Sequence, residues 1–75
     1  MGSIMEFNKH AVYGKTAAEK YCKDWSKDLE KRGKDLSDQL RVNKIDPKSY
    51  NQKRLLLNNE TKDLNSCIAK INALN

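Results

Sequence analysis

Apolar residues recur along this chain at the spacing of two amphipathic helices. In the first half they follow one another at gaps of four, three, four, seven and four residues, which is one stripe of an α-helix. In the second half they return every seven residues, which favours a left-handed antiparallel pair. We therefore predict an all-α fold, a two-helix antiparallel hairpin with helices over residues 17–42 and 47–73. The first stripe consists of Ala18, Cys22, Trp25, Leu29, Leu36 and Leu40, and the second of Tyr50, Leu57, Leu64 and Ile71, with Ile68 and Leu74 on the same side.

The corner between the two helices carries the strongest local signal. Asp46 suits a helix N-cap, because its carboxylate can accept from the free N–H groups of the first turn. Pro47 suits the first helical position, where its missing N–H costs nothing. Proline also disfavours helical backbone in the residue before it, so the first helix has to end by residues 42–45. Asn43 can adopt a left-handed conformation and close that helix.

The first residues of the chain show no period. Residues 1–4 resemble a remnant of an expression vector before a native start at Met5, and residues 5–15 are predicted to be a loose arm. Phe7, Val12 and Tyr13 form a small apolar cluster in this arm, either a packed flap or a contact for another chain. Thr16 is the predicted N-cap of the first helix, because Glu19 follows at the capping-box spacing.

The two stripes agree in register when residues whose numbers sum to about 89 lie level. Cys22 then lies level with Cys67. Packed helices lie about 8–10 Å apart, whereas a disulfide requires Cα atoms within about 7 Å, so we expect two packed thiols. The predicted hairpin core consists of Cys22, Leu36, Leu40, Leu57, Leu64, Ile68 and Ile71.

One leucine does not fit the stripe of the second helix. If Leu57 faces the first helix, Leu55 lies about 160° around the helix axis from it, on the opposite side of the second helix. Leu56 is turned from Leu57 by about 100°. A single surface leucine is common in folded proteins. The alternative is a second apolar face, flanked by Leu56 and Cys67, that docks on another protein. A chain of 75 residues is marginal as an independent fold, which favours the docking face.

The net charge of +5 invites a nucleic-acid interpretation, but the excess is spread over the chain. Residues 1–23, 24–45 and 46–75 carry +2, +1 and +2. Opposite charges four residues apart are typical of a solvated helix face, so nucleic acid is an unlikely partner. These expected pairs are Glu19 with Lys23, Lys20 with Asp24, Asp28 with Arg32, Glu30 with Lys34, Lys31 with Asp35, and Lys34 with Asp38.

Residues for catalysis or for a cofactor are missing from the sequence. There is one histidine, His10, and the two cysteines form no metal-ligand motif. We see no glycine-rich phosphate loop, and the acids of the first helix are interleaved with bases. We expect no enzyme activity, no cofactor and no small-molecule ligand. With neither a signal peptide nor an apolar run of about 20 residues, the predicted location is the cytoplasm.

The corner and second helix resemble a known family. The run I-D-P-K-S-Y-N-Q-K-R-L-L-L over residues 45–57 is similar to the small E-type co-chaperone of type III secretion needle proteins. The matching residues are Asp46, Pro47, Tyr50, Gln52 and the leucine triplet 55–57, and the resemblance covers residues 36–74. The first helix matches only in type, and the arm departs from the family pattern.

This resemblance implies a function and a set of contacts. Such proteins are helical hairpins that bind a larger tetratricopeptide-like chaperone in the bacterial cytoplasm, and the pair keeps the needle subunit monomeric before export. Carried over to this chain, the partner-facing residues are Trp25, Leu29, Tyr50, Leu55 and Leu56. The alternatives are the needle subunit itself, whose proline-rich loop is not matched here, and a small basic nucleic-acid-binding or regulatory protein.

Overall fold

The computed structural model describes residues 2–73, which form three α-helices and no strand. Leu74 of the predicted second stripe lies outside the described residues. Helix α1 spans Ile4–Ala11, α2 spans Lys15–Arg41 and α3 spans Pro47–Asn72. The long helices α2 and α3 pack against each other, α1 contacts both, and the molecule is 46 Å long. The prediction of an all-α fold is confirmed. The two-helix hairpin is not, because a third helix is present.

The corner between α2 and α3 has the predicted geometry. Asn43 adopts a left-handed conformation with φ of 61°. Its N–H donates to the Leu40 carbonyl at 3.2 Å, and the Lys44 N–H donates to the Gln39 carbonyl at 2.8 Å. These two bonds form a Schellman motif, which satisfies carbonyls that the end of a helix leaves free. The chain can therefore reverse within a few residues.

Helix α3 begins as its sequence predicts. Asp46 is the N-cap in extended backbone conformation and Pro47 is the first helical residue. The Asp46 carboxylate makes no cap hydrogen bond of regular geometry. The nearby Ser49 hydroxyl and the amides of the first turn nevertheless lower the pKa of the Asp46 carboxyl below its ordinary value. Asp46 is exposed to solvent, so its interaction with Ser49 and these amides marks where α3 starts and adds little to the stability of the fold.

Helix α1 lies where the sequence predicts a loose arm, and it includes part of the supposed vector remnant. Ser3 is its N-cap, and the Ser3 hydroxyl accepts from the Glu6 N–H at 3.1 Å. The Ser3 N–H donates to the Tyr21 hydroxyl on α2 at 3.1 Å, and Phe7 is 1% exposed. An isolated helix of eight residues is unstable in water. Its contacts with α2 and α3 therefore hold α1 in place.

A glycine turn connects α1 to α2. Gly14, with φ of 114°, is the N-cap of α2, so the prediction of Thr16 as the cap is wrong. A positive φ is strained for a residue with a Cβ, and glycine allows the chain to reverse there. Of the predicted apolar cluster, Phe7 is packed, whereas Val12 and Tyr13 remain exposed at this turn.

The core lies between all three helices, at the end of the molecule where α1 docks. Ile68, which the sequence analysis places in the core, is 40% exposed. It is turned by about 100° from Cys67 and lies at the edge of α3. Cys67 takes the central position instead, so its assignment to the flank of an outer face is wrong. The buried cluster consists of Phe7, Ala18, Cys22, Trp25, Leu29, Leu64, Cys67 and Ile71.

The Phe7→Ala substitution tests whether α1 belongs to the core. We expect a loss of about 3–5 kcal/mol in the free energy of unfolding, as for other buried phenylalanines, measured by urea denaturation. Met5→Ala is the matched control on the same helix, because Met5 is exposed, and it should leave stability unchanged. Equal stability of the two variants would show that α1 is a loose arm after all.

Candidate functional site

An exposed pair of leucines on α3 is the clearest feature that folding does not explain. Leu55 is 60% exposed and Leu56 is 69% exposed. They lie in the half of the molecule nearer the corner, away from the docked α1 and the buried cluster. Large apolar side chains that are exposed to water are candidates for an interaction surface when they extend a larger apolar area.

Leu56 also borders a groove between α2 and α3. The groove has a volume of about 540 Å³, and its apolar lining comes from Leu36, Leu56 and Leu57. Leu36 is buried and Leu57 is half-buried, so these two side chains form the apolar floor of the groove. We call Leu55 together with this groove the leucine surface. Its charged rim consists of Arg32, Asp35, Lys53 and Glu60.

The rim at one end of the groove is fixed by hydrogen bonds. Glu60 on α3 accepts from the Trp25 indole N–H at 3.0 Å and from the Arg32 guanidinium. Arg32 also pairs with Asp28 at 2.8 Å. The hydrogen bond that Arg32 donates to Glu60 raises the pKa of the Arg32 guanidinium, which stays charged throughout the accessible pH range. This network joins α2 to α3 at the rim of the groove.

The chain before α1 covers Trp25, next to one end of the groove. Gly2 lies against the Trp25 indole so closely that a Cβ at this position would overlap the ring. The same indole donates to Glu60 on α3, and Glu60 also accepts from Arg32 on α2. Arg32 and Glu60 both belong to the groove rim. The chain before α1 therefore covers the Trp25 end, and the leucine surface stays open beyond it.

The residues predicted to face a partner are divided by the structure. Leu55 and Leu56 are exposed, and Tyr50 is half-buried near the corner. Trp25 is 2% exposed and Leu29 is also buried, so neither is accessible to a partner in this conformation. The physical reason is that both belong to the apolar stripe of α2, which packs into the buried cluster between the three helices.

The predicted core residues are mostly where the sequence places them. Cys22, Leu36, Leu64 and Ile71 are buried, and Leu40 and Leu57 are half-buried. The sequence analysis missed the Arg32–Glu60 pair. A signal for it exists, because Arg32 interrupts the apolar stripe of α2, and a charge at such a position requires a partner.

The two cysteines are buried free thiols, as predicted. Burial raises the pKa of the Cys22 thiol, with a smaller contribution from Cys67, and burial likewise raises the pKa of Cys67. We expect native Cys22 and Cys67 to react with Ellman's reagent at least about 100-fold more slowly than in denaturant, because reaction requires opening of the fold. Rapid labelling of the native protein would contradict their placement in the core.

Groups for chemistry are sparse on the described surface. Within residues 2–73, no three His, Cys, Asp or Glu side chains lie close enough together to hold a metal ion. His10 stacks on Tyr21, with ring centroids 4.6 Å apart. Across the same residues, none of the helices has the length and apolar character to cross a membrane. The leucine surface is therefore the candidate site.

Comparison with known proteins adds no family to this picture. No protein-family model, no curated protein and no solved structure matches the chain.

Proposed function

We propose that this chain is a protein-binding co-chaperone. It pairs with a larger helical-repeat chaperone of the tetratricopeptide kind in the bacterial cytoplasm and stabilises it. The pair keeps the type III secretion needle subunit soluble and monomeric before export. The observation that carries the proposal is the leucine surface, an apolar area in the half of the molecule that α1 leaves uncovered.

The shape of this surface suits a helical partner. Leu55 and Leu56 project from an unbroken helix of 26 residues, and Leu56 leads into a groove with an apolar floor and charged rim. A helix presented to an apolar groove is a common mode of recognition, with apolar anchors at helical spacing and polar groups around them. Stacked helix pairs of a repeat protein offer such concave surfaces.

The energetics of a small fold support a stabilising partnership. The buried cluster is confined to the α1 end of the molecule, whereas the half near the corner has few buried apolar side chains. A partner that binds the folded state adds to its stability by mass action. Covering the leucine surface would therefore stabilise the weaker half of this chain together with the partner.

The finer identity rests on the sequence resemblance of residues 45–57. Asp46 and Pro47 start α3, and Tyr50, Leu55 and Leu56 lie on it in the order of the family pattern. Binding rather than catalysis is proposed, because the single histidine stacks on Tyr21 and burial raises the pKa of both thiols. These groups are poorly placed to act as nucleophile and base.

Co-expression in bacteria tests the proposal. The chain is produced with a helical-repeat chaperone and a needle-type subunit of one type III secretion system, and the complex is purified through a tag on this chain. We expect equimolar co-purification, a higher melting temperature of the chaperone, and a needle subunit that elutes as a monomer from size exclusion. A chain that purifies alone while the needle subunit polymerises unchanged would refute the proposal.

A further inference from the structure

The outer face of α2 carries a line of basic side chains. Lys20, Lys27, Lys34 and Arg41 follow one another every seven residues, which is two helical turns or about 10.5 Å. All four are exposed and lie opposite the buried stripe that contains Trp25. The line extends over about 31 Å of the helix.

Two further lysines fill the intervals of this line. Lys23 follows Lys20 by three residues and Lys31 follows Lys27 by four, so both lie on the same face. We call the six residues Lys20, Lys23, Lys27, Lys31, Lys34 and Arg41 the lysine ridge. The acid on this face is Asp38, and its carboxylate is paired with Arg41 at 3.2 Å.

The structure leaves most of this charge unneutralised. The sequence predicts six opposite-charge pairs along α2. Among the described residues one of them forms, the pair of Asp28 with Arg32. Within residues 2–73, none of the five lysines of the ridge lies within 4.0 Å of a carboxylate oxygen. The charge that is spread evenly along the sequence is therefore concentrated on one side of the helix.

Acids border the ridge on both sides. Glu19 and Glu30 lie toward one edge of α2, and Asp24 and Asp35 lie toward the other, by the 100° rotation per residue. A wide anionic surface such as duplex DNA or a membrane would bring its phosphates close to both rows of carboxylates. Like charges in contact are unfavourable. The binding partner should therefore present a narrow line of negative charge.

A single helix with acids at seven-residue spacing provides such a line. Its carboxylates would face Lys20, Lys27, Lys34 and Arg41 in register, as in the charge pairs that choose partners in coiled coils. We propose that the lysine ridge is a docking surface for an acidic helix of a protein partner. The ridge lies on the outer face of α2, whereas the leucine surface lies on α3 and in the groove between the two helices, and the two share no residue. This proposal therefore stands independently of the proposed function.

A synthetic peptide tests the match between ridge and partner. The probe is an alanine-based helix of about 21 residues, long enough to span the ridge, with glutamates at seven-residue spacing. Its counterpart has the same composition with the glutamates distributed around the helix. At about 150 mM salt, where the Debye length is about 8 Å, we expect the aligned peptide to bind about tenfold more tightly. NMR shifts should be confined to the ridge.

Charge-reversal variants provide the matched controls. The double variant Lys27→Glu, Lys34→Glu should lose binding of the aligned peptide, and Lys48→Glu, Lys62→Glu should retain it. All four lysines are exposed, so both variants should fold and carry the same net charge. Equal binding of the two peptides, or equal loss in the two variants, would overturn the proposal.

Two other anions complete the test. A duplex DNA of about 20 base pairs and vesicles containing phosphatidylserine are titrated at the same salt concentration. We expect both to bind more weakly than the aligned peptide. Tighter binding of either one, lost in the Lys27→Glu, Lys34→Glu variant, would show that the ridge binds phosphate groups and would overturn the acidic-helix proposal.

Discussion

Replacing Trp25 with alanine is expected to remove most of the stability of this chain. Trp25 is 2% exposed, lies against Gly2 and Tyr21, and donates to Glu60. Truncation of a buried tryptophan costs about 3–5 kcal/mol. A domain of this size is expected to have about 4–11 kcal/mol in total. Urea denaturation followed by circular dichroism should show a midpoint shifted strongly downward.

The Trp25→Phe variant separates the ring from its hydrogen bond. It keeps most of the apolar contact and loses the bond to Glu60, so we expect a smaller loss of about 1–2 kcal/mol. Glu60 keeps its pairing with Arg32. An alanine variant as stable as the native chain would mean that Trp25 is available to a partner, as the resemblance implies, and that α1 does not dock over it.

The Leu55→Asp substitution should abolish partner binding without unfolding the chain. Leu55 is largely exposed, so the free protein should keep its helicity and its melting temperature. In the complex the carboxylate would be buried without a partner, which is costly. Loss of a central apolar anchor costs at least about 2 kcal/mol, or about 30-fold in affinity. Isothermal titration with the helical-repeat chaperone measures the loss.

Two aspartate variants calibrate that result. Leu57→Asp lies two residues farther along and packs against the core cluster, so it should disrupt the fold. Val12→Asp places the same charge at an exposed apolar residue of the α1–α2 turn, so it should leave both folding and binding unchanged. If Leu55→Asp unfolds the chain as Leu57→Asp does, Leu55 belongs to the core and the leucine surface does not exist.

The long helices could be predicted because their signals are local. The stripe of α2, the Asp46-Pro47 start of α3 and the left-handed Asn43 depend on spacing and backbone preference within a few residues. The structure places α2 at Lys15–Arg41 and α3 at Pro47–Asn72, within two residues of the predicted ends. Trp25 and Leu64, whose numbers sum to 89 as the predicted register requires, belong to the same buried cluster.

Helix α1 could not be predicted in this way because its stability is not local. It has eight residues and one buried side chain, Phe7, too few to show a period. The reason for its order lies in distant residues, including the Tyr21 hydroxyl that accepts from Ser3 and the Trp25 ring beside Gly2. The same contacts explain why Trp25, which the resemblance implies is partner-facing, is 2% exposed.

The lysine ridge does not show in the charge counts of the sequence analysis, for a geometric reason. Counting bases and acids by segment shows a small excess in each, whereas the five lysines of the ridge share one side of α2. The seven-residue spacing of Lys20, Lys27 and Lys34 is present in the sequence and would have revealed the ridge on a helical projection. Ion pairing at four-residue spacing was assumed there, and Asp28–Arg32 is the pair that forms.

Methyl NMR of the leucines tests the central claim most directly, because it observes the proposed surface itself. The chain is labelled at its leucine methyl groups and titrated with the helical-repeat chaperone. The account predicts large shifts or broadening for Leu55 and Leu56, while the buried Leu29 and Leu64 remain nearly unchanged. Unchanged Leu55 and Leu56 signals in a complex that does form would contradict it and move the binding site elsewhere on the molecule.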